Sequence, residues 1–299
     1  MTQKTSAVIL RGKPVAAEVM DELRASIGDA AERIGRPPGL AVILVGEDSA
    51  SRIYVRNKER AAAKLNIATF DHRLPADTTQ EHLLGLVTRL NADPAVHGIL
   101  IQLPLPPHLE EEELLHSVVP VKDVDVFHPD NFGKVALNVG SLRPCTPAGV
   151  IELLKRSGIE IDGKHVVIVG ASKIVGLPLS LMFLAEGATV TLSHIKTRDV
   201  PALTRQADIV VAALGVPRFL KADMVREGAV VVDVGINRVG EKIVGDCDFD
   251  DLTGKVSAIT PVPGGVGPMT VAMLMANTVR AYRTQVLGEV PSTHVSMLE

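Results

Sequence analysis

Short apolar runs alternate with helix-length stretches of mixed polarity along most of this chain, and that alternation is the strongest constraint on its fold. Leu40–Gly46 (LAVILVG) reads as a buried strand, Ser51–Leu65 as a helix and Ala68–Pro75 as a second strand. Asp77–Asn91 reads as a helix capped by Thr78 or Thr79, and His97–Pro104 as a third strand, stopped by Pro104, Pro106 and Pro107. Strands separated by helices at this spacing join through right-handed crossovers, which makes the sheet parallel. A second series follows, with strands over His165–Gly170, Ala188–His194, Asp208–Leu214 and Ala229–Gly235 and another near Val256–Thr260. Helices are predicted over Leu177–Ala185 and Val200–Gln206. Between the two series, residues 121–146 are rich in Asp, Pro, Gly and Asn and read as a loop crossing to a second domain. Pro147 then opens a helix through Arg156, with Thr146 as its N-cap. Met269–Val286 reads as a long helix that could lead back to the first domain, and the tail from Pro291 as frayed.

A length of 299 residues accommodates two such domains. Apolar residues at 46% and charged residues at 22% exclude a wholly disordered chain. The net charge of −4 argues against a protein that coats nucleic acid, and the absence of Trp, with only two Tyr, argues against base-stacking platforms. Cys145 and Cys247 stand alone, without a CxxC or a Cys/His cluster, so no zinc site, no other metal site and no disulfide framework is expected. A reducing, cytoplasmic setting fits that usage. Residues 1–11 carry no signal-peptide pattern and no run of about 18 apolar residues occurs, so neither secretion nor a membrane partner is expected. The nine histidines form no HxxxH or HExxH, and no GxSxG is present. Zinc-assisted hydrolysis and catalytic-triad chemistry therefore lack support.

Several motifs carry possible chemistry. Gly170-Ala171-Ser172-Lys173-Ile174-Val175-Gly176 leaves a strand and enters a helix, where backbone N–H groups can cradle a phosphate. Its spacing is not GxGxxG, and a packing turn explains the two glycines equally well. His194-Ile195-Lys196-Thr197 ends the next strand, where an acid would grip the ribose of NAD or an Arg the 2′-phosphate of NADP; neither is present, and Lys196 is most simply a solvated loop lysine. Tyr54 and Lys58 are four apart on one predicted helix and share a face, which suits a flat polar heterocycle but also an ordinary amphipathic helix. Gln102 closes an apolar strand at its carboxyl end, where ligands of α/β sheets bind. Lys122-Asp123-Val124-Asp125 places two acids in a loop without a third metal ligand. Thr260-Pro-Val-Pro-Gly-Gly-Val-Gly-Pro-Met-Thr270 is a Gly/Pro-dense path into a helix, of the kind that shapes a ligand's surroundings.

Taken in order, VGEDSASRIYVRNK, GILIQLPLP, KDVDVFHP, RPCTPAG, VGASKIVGLP and ITPVPGGVGPMT give the chain its identity at family level. Over roughly Ala7 to Tyr282 it resembles the bifunctional methylenetetrahydrofolate dehydrogenase/methenyltetrahydrofolate cyclohydrolase family. The resemblance implies an N-terminal three-layer α/β folate domain (residues 1–146 with 271–299), a C-terminal Rossmann-type dinucleotide-binding domain (147–270) and a cleft between them. It implies oxidation of 5,10-methylenetetrahydrofolate with a nicotinamide cofactor, then hydrolysis to 10-formyltetrahydrofolate, by a homodimer. Tyr54 would stack on the folate ring, Lys58 would be the acid/base of hydrolysis, Gln102 would hold Lys58, and Asp125 would anchor the pterin. Leu103 and the Pro263, Gly264 and Gly265 loop would line the folate site. Gly170, Ala171, Ser172, Ile174, Val175, Ile195, Ile236 and Thr270 would touch the cofactor.

Three departures from the family pattern bear on this. Ala171 stands where NADP-using members usually have Arg, and Ile195 where they usually have Ser, so NADP is the family default while NAD is a live alternative. Val126 replaces the usual glycine after Asp125, which implies a shifted loop. The competing readings are an NAD-preferring dehydrogenase with weak cyclohydrolase activity and a folate-binding paralogue without catalysis. Retention of Tyr54, Lys58 and Gln102 argues against loss of the hydrolytic step, and Ala171, Ile195 and Val126 are the only features in favour of the paralogue.

Overall fold

The computed structural model describes residues 7–289. In chain order the elements are β1 (Val8–Ile9), α1 (Gly12–Ile34), β2 (Gly39–Val45), α2 (Ser49–Lys64), β3 (Ala68–Leu74), α3 (Gln80–Ala92), β4 (Gly98–Ile101), α4 (Glu111–Ser117), α5 (Pro129–Ala136) and α6 (Cys145–Arg156). They continue with β5 (His165–Val169), α7 (Gly176–Ala185), β6 (Thr189–Ser193), α8 (Val200–Thr204), β7 (Ile209–Ala212), β8 (Val230–Asp233), β9 (Asn237–Val239), β10 (Lys242–Val244), α9 (Phe249–Leu252), β11 (Ala258–Ile259) and α10 (Val266–Leu287). The chain forms two compact units, residues 7–17 with 146–270, and residues 18–145 with 271–289. None of the described helices is long and apolar enough to cross a membrane.

The first unit is built on a six-stranded sheet in the order β1-β11-β8-β7-β5-β6, every neighbouring pair parallel. From β5 the chain steps to β6 on one side and then returns to β7 on the other. The strand order therefore reverses between β5 and β7, the place where open α/β sheets bind ligands. Val167 and Val169 of β5, Val210 and Ala212 of β7, Val231 of β8 and Ile259 of β11 share one buried cluster. A central parallel strand is covered on both faces, which explains why β7 reads as an unbroken apolar run, IVVA, and β8 as three valines closed by Asp233.

The second unit holds a three-stranded parallel sheet, β3-β2-β4. β2 is central and buried throughout, whereas β3, at the edge, alternates between half-buried and exposed. Ala41, Ile43 and Val45 share a cluster with Leu83, Leu86, Val87 and Leu90 of α3 and with Leu114 and Leu115 of α4. α3 begins at Gln80 because Thr79 caps it, its hydroxyl accepting from His82 N at 3.2 Å. Thr78 instead donates to Pro75 O at 2.7 Å.

Several expectations need correction. The first residues were expected to belong with the folate domain, but β1 pairs with β11 and residues 7–17 group with the dinucleotide-type unit. Two strand residues carry no readable period. Residues 121–146 are not all loop: α5 lies within them, started by Pro129 in its first turn and by His128, whose ring accepts from Asp130 N. With only Asn131 and Val135 buried, it has no apolar stripe to read. α6 begins at Cys145, two residues ahead of Pro147. α1 and the β9–β10 hairpin were not singled out by the sequence. The tail from Pro291 lies outside the described residues.

Val126 is 3% exposed and has φ of +65°, a left-handed conformation that a β-branched side chain resists. The surroundings enforce it. The Asp123 carboxylate accepts from Phe127 N at 3.1 Å, His128 N at 2.9 Å and Asn131 Nδ2 at 2.9 Å. Val124 O accepts from Asn277 Nδ2 at 2.7 Å and from the Cys145 thiol at 3.3 Å. Deleting a buried valine side chain down to glycine normally costs about 3 kcal/mol of burial and backbone entropy. Relief of left-handed strain returns about 1–2 kcal/mol. Val126→Gly is therefore expected to lower stability by only about 1 kcal/mol in urea unfolding. A loss of 3 kcal/mol or more would show that Val126 is not strained.

His97 is 1% exposed, and its Nδ1 accepts from Gly39 N at 2.9 Å. The proton of the neutral ring is then on Nε2, beside the Tyr282 ring, whose centroid is 4.8 Å away at 84°. Burial first, then the Arg36 and Lys122 cations, push the imidazole down to about 4. The unfolded chain takes up this proton near pH 6.5 and the folded one only near 4, so stability is lost as pH falls through that window, by about 3 kcal/mol in total. In thermal melts from pH 7 to 4.5, the Tm gap between the wild type and His97→Asn should narrow. A constant gap would show that His97 titrates normally.

Candidate active site

In the unit built on β3-β2-β4, α2 is capped by Asp48, whose carboxylate accepts from Ser51 N at 2.7 Å. One helical turn separates Tyr54 from Lys58, so they share a face. Lys58 is buried, and its Nζ donates to Gln102 Oε1 at 3.0 Å. Gln102 continues β4, with its N–H on Ile43 O at 2.8 Å, and its side-chain NH2 donates to Leu103 O at 2.7 Å. That last bond fixes the amide so that its oxygen faces the lysine. The amide orients the lysine Nζ through a neutral oxygen and not through a carboxylate. Tyr54 is half-buried, and burial pushes its phenol up.

Asp125 reaches the same region through an isolated parallel bridge between Ile99 and Asp123. That alignment puts Asp125 level with the carboxyl end of β4, where Gln102 begins. The buried Cys145 thiol registers the convergence: burial pushes it well up, the Asp125 carboxylate adds to the rise, and Lys58 opposes it. The structure thus joins Lys58 to Gln102, with Tyr54 on the same helix face as Lys58, and sets Asp125 level with the end of β4. Three contributors escaped the sequence reading. Asp123 clamps the loop through three N–H donors, Asn277 reaches Val124 O and Arg143 O at 2.7 Å each, and the Cys145 thiol donates to Val124 O at 3.3 Å. Asp123 stands in the motif that was singled out, but a polar residue on a long helix, such as Asn277, gave no signal.

In the other unit, the turn from β5 into α7 has the form expected of a phosphate cradle. Gly170 has φ of +119°, and a Cβ there would lie 2.0 Å from Ala213 O; a Cβ on Gly176 would lie 1.7 Å from Gly170 O. Glycine at both positions lets the helix start close against the strand end. Ser172 Oγ accepts from Val175 N at 3.2 Å, and Val175, the N-cap, offers no side-chain hydrogen bond to the helix. In the first turn of this ten-residue helix Leu177 N is bonded to Ser172 O at 3.1 Å and Pro178 carries no N–H, so an anion at the switch between β5 and β7 would be met by the backbone of the Gly170–Gly176 turn and not by a free helix end. These residues fit the pyrophosphate of a nicotinamide dinucleotide.

Ala171 and Val175 are half-buried in that turn, and Ile174 is exposed. Ile195 projects fully into solvent from the turn after β6, where Thr197 Oγ1 accepts from His194 N and His194 Nδ1 accepts from Lys196 N. Ile236 is exposed just after β8. Thr270, on α10, bonds to the hydroxyl of Thr146 at 3.1 Å, so its described hydrogen bond lies apart from the 170–176 turn. Pro263, Gly264 and Gly265 belong to this unit, with Gly264 O accepting from Gly12 N at 2.9 Å. Among the described residues, no group of three or more His, Cys, Asp or Glu is placed to hold a metal ion.

Comparison with known proteins matches both units. Residues 10–125 fit the model of the tetrahydrofolate dehydrogenase/cyclohydrolase catalytic domain, and residues 144–286 that of its NAD(P)-binding domain. The bifunctional protein FolD of Moorella thermoacetica is 52% identical over 278 residues, 93% of this chain and 99% of that one. The crystal structure of the bifunctional enzyme FolD from Campylobacter jejuni is 48% identical and superposes with a TM-score of 0.90, covering 93% of this chain and 99% of that one. The Trypanosoma brucei enzyme, solved with NADP and an inhibitor, is 40% identical with a TM-score of 0.91, covering 94% and 99%. With both domain models matched and half of the residues shared over nearly its full length, the chain belongs to the tetrahydrofolate dehydrogenase/cyclohydrolase family.

Proposed function

We infer that this protein oxidises 5,10-methylenetetrahydrofolate with a nicotinamide cofactor and hydrolyses the resulting 5,10-methenyltetrahydrofolate to 10-formyltetrahydrofolate. The observation that carries the hydrolytic half is the buried Lys58 held at 3.0 Å by the oriented amide of Gln102 at the end of β4. The cofactor, when bound, supplies the hydride acceptor. The chain's part in that step is to hold the donor carbon in position, with Tyr54 stacking on the folate ring and Asp125 accepting from the pterin N–H groups. The methenyl product is a cation, so water adds to its carbon without a metal. Lys58 takes a proton as water adds, and returns one to the ring nitrogen as its bond to that carbon breaks; one proton is released overall. Gln102 keeps the lysine amine aimed at the reacting carbon while it exchanges that proton. A homodimer and a place in one-carbon metabolism belong to the same reading.

On the choice of cofactor, we propose NAD in preference to NADP. Ile195 is fully exposed where the 2′-phosphate would be read, and it offers no hydrogen bond. Ala171 likewise provides no cation. A charge-assisted contact to phosphate contributes about 1.5–3 kcal/mol, so losing an arginine there removes tenfold or more in NADP affinity. Lys196, exposed in the same turn, is the group that would reverse this reading.

Two experiments test these assignments. Lys58→Ala is expected to lower cyclohydrolase activity at least a hundredfold while retaining measurable dehydrogenase activity. Unchanged hydrolysis would remove Lys58 from the acid/base role. Dehydrogenase kcat/KM measured with each cofactor is expected to favour NAD, and Ala171→Arg with Ile195→Ser to shift the ratio about tenfold or more towards NADP. A wild-type preference for NADP would assign the 2′-phosphate to Lys196 instead.

A further inference from the structure

Two buried carboxylates sit at the carboxyl edge of the six-stranded sheet, and the chemistry above uses neither. Asp233 ends β8 and Asp246 follows β10; they are 3% and 0% exposed. Asp246 Oδ2 accepts from Leu214 N at 2.7 Å and Gly215 N at 2.9 Å, in the segment that leaves β7. Its Oδ1 accepts from the side chain of Asn237 at 2.8 Å. The backbone N–H of Asp246 donates to Asp233 Oδ1 at 2.9 Å, which also accepts from Gly235 N at 3.0 Å, while Asp233 Oδ2 accepts from Cys247 N at 2.9 Å. Packing is so close that a Cβ on Gly245 would lie 1.8 Å from Asp233 Oδ2.

Every one of these donors is a neutral amide. Two carboxylates buried side by side with no cation among these partners oppose folding. Burial, with a contribution from Asp246, pushes Asp233 up to about 6. An apolar contact would hold the fold at less cost, so the arrangement calls for a use. Its place suggests one. Leu214 and Gly215 leave β7 beside the reversal of strand order, with Ala213 O packed against the Gly170 turn. Gly235 and Asn237 flank the exposed Ile236 after β8. One side chain, Asp246, therefore ties the loop after β7 to the loop after β8.

We propose that Asp246 is a positioning residue for the nicotinamide cofactor, holding the loops after β7 and β8 in the register that the dinucleotide binds. The inference rests on the reading of this sheet edge as the cofactor site. Asp246 does not touch the reacting atoms; it acts through the backbone of Leu214 and Gly215 and through Asn237.

Asp246→Asn keeps the volume but puts an NH2 group against the N–H donors of one arm. The Kd for reduced cofactor, followed by its fluorescence, and the KM for cofactor in the dehydrogenase assay are both expected to rise about tenfold or more. At saturating cofactor kcat should stay within about twofold, and KM for folate should not move. Cyclohydrolase activity, which uses no cofactor, reports that the variant is folded. If it is lost, Asn237→Ala, which cuts only the arm to the β8 loop, should still raise the cofactor Kd about threefold. An unchanged cofactor Kd in a folded variant overturns the proposal. If the Ala171→Arg/Ile195→Ser pair alters cofactor binding while Asp246→Asn does not, only the role of Asp246 falls. If neither alters it, the assignment of the sheet edge falls as well.

Discussion

Every strand pair in the six-stranded and the three-stranded sheet is parallel, and the rest of the structure depends on that constraint. Parallel neighbours need crossovers, so each sheet sends all the segments that follow its strands to one edge. In the smaller sheet that edge holds Gln102 after β4 and, beside it, the Asp123–Asp125 segment aligned by its bridge to Ile99. In the larger sheet it holds the Gly170 turn, Leu214 and Gly215, and Gly235 and Ile236. Residues distant in sequence meet because strand direction brings them together, and the chemistry proposed for each unit draws on those edges.

Loops collected in this way need something to fix them, and buried carboxylates do much of it here. Asp123, Asp233 and Asp246 each accept several N–H groups from the segments around them. A carboxylate has lone pairs for several donors at once, so one side chain can organise a loop that no regular element stabilises. The cost is desolvation, visible in the upward displacement of Asp123 and Asp233. The left-handed Val126 shows how firm such a clamp is, since three hydrogen bonds from the residues beyond it hold Asp123 in place. Lys58 is arranged on the opposite plan. It faces a neutral amide whose own orientation is fixed by Leu103 O.

Both sheets were legible in the chain because apolar runs such as LAVILVG and VVVD are long relative to their flanks and their spacing permits only crossover connections. The Tyr54–Lys58 face and Gln102 at a strand end were legible as pattern, and the six motifs in register carried the family. What the sequence concealed were short or aperiodic pieces: β1, with two residues; α5, with two buried positions; and the β9–β10 hairpin. Asn277 gave no sign of its role because its partners, Val124 and Arg143, lie more than a hundred residues away, and Asp246 gave none because its bonds to Leu214 and Gly215 cross between separate strands.

The sequence alone therefore determined the α/β class, the parallel sheets and the family. Period, spacing and motif are local properties and survive without coordinates. Tertiary structure alone decided that residues 7–17 join the dinucleotide-type unit, that Gln102 presents its oxygen to Lys58, and that Asp246 ties together the loops after β7 and β8. Each of these depends on which hydrogen-bonding groups remain unpaired once the sheets have formed, and only the folded backbone places those groups.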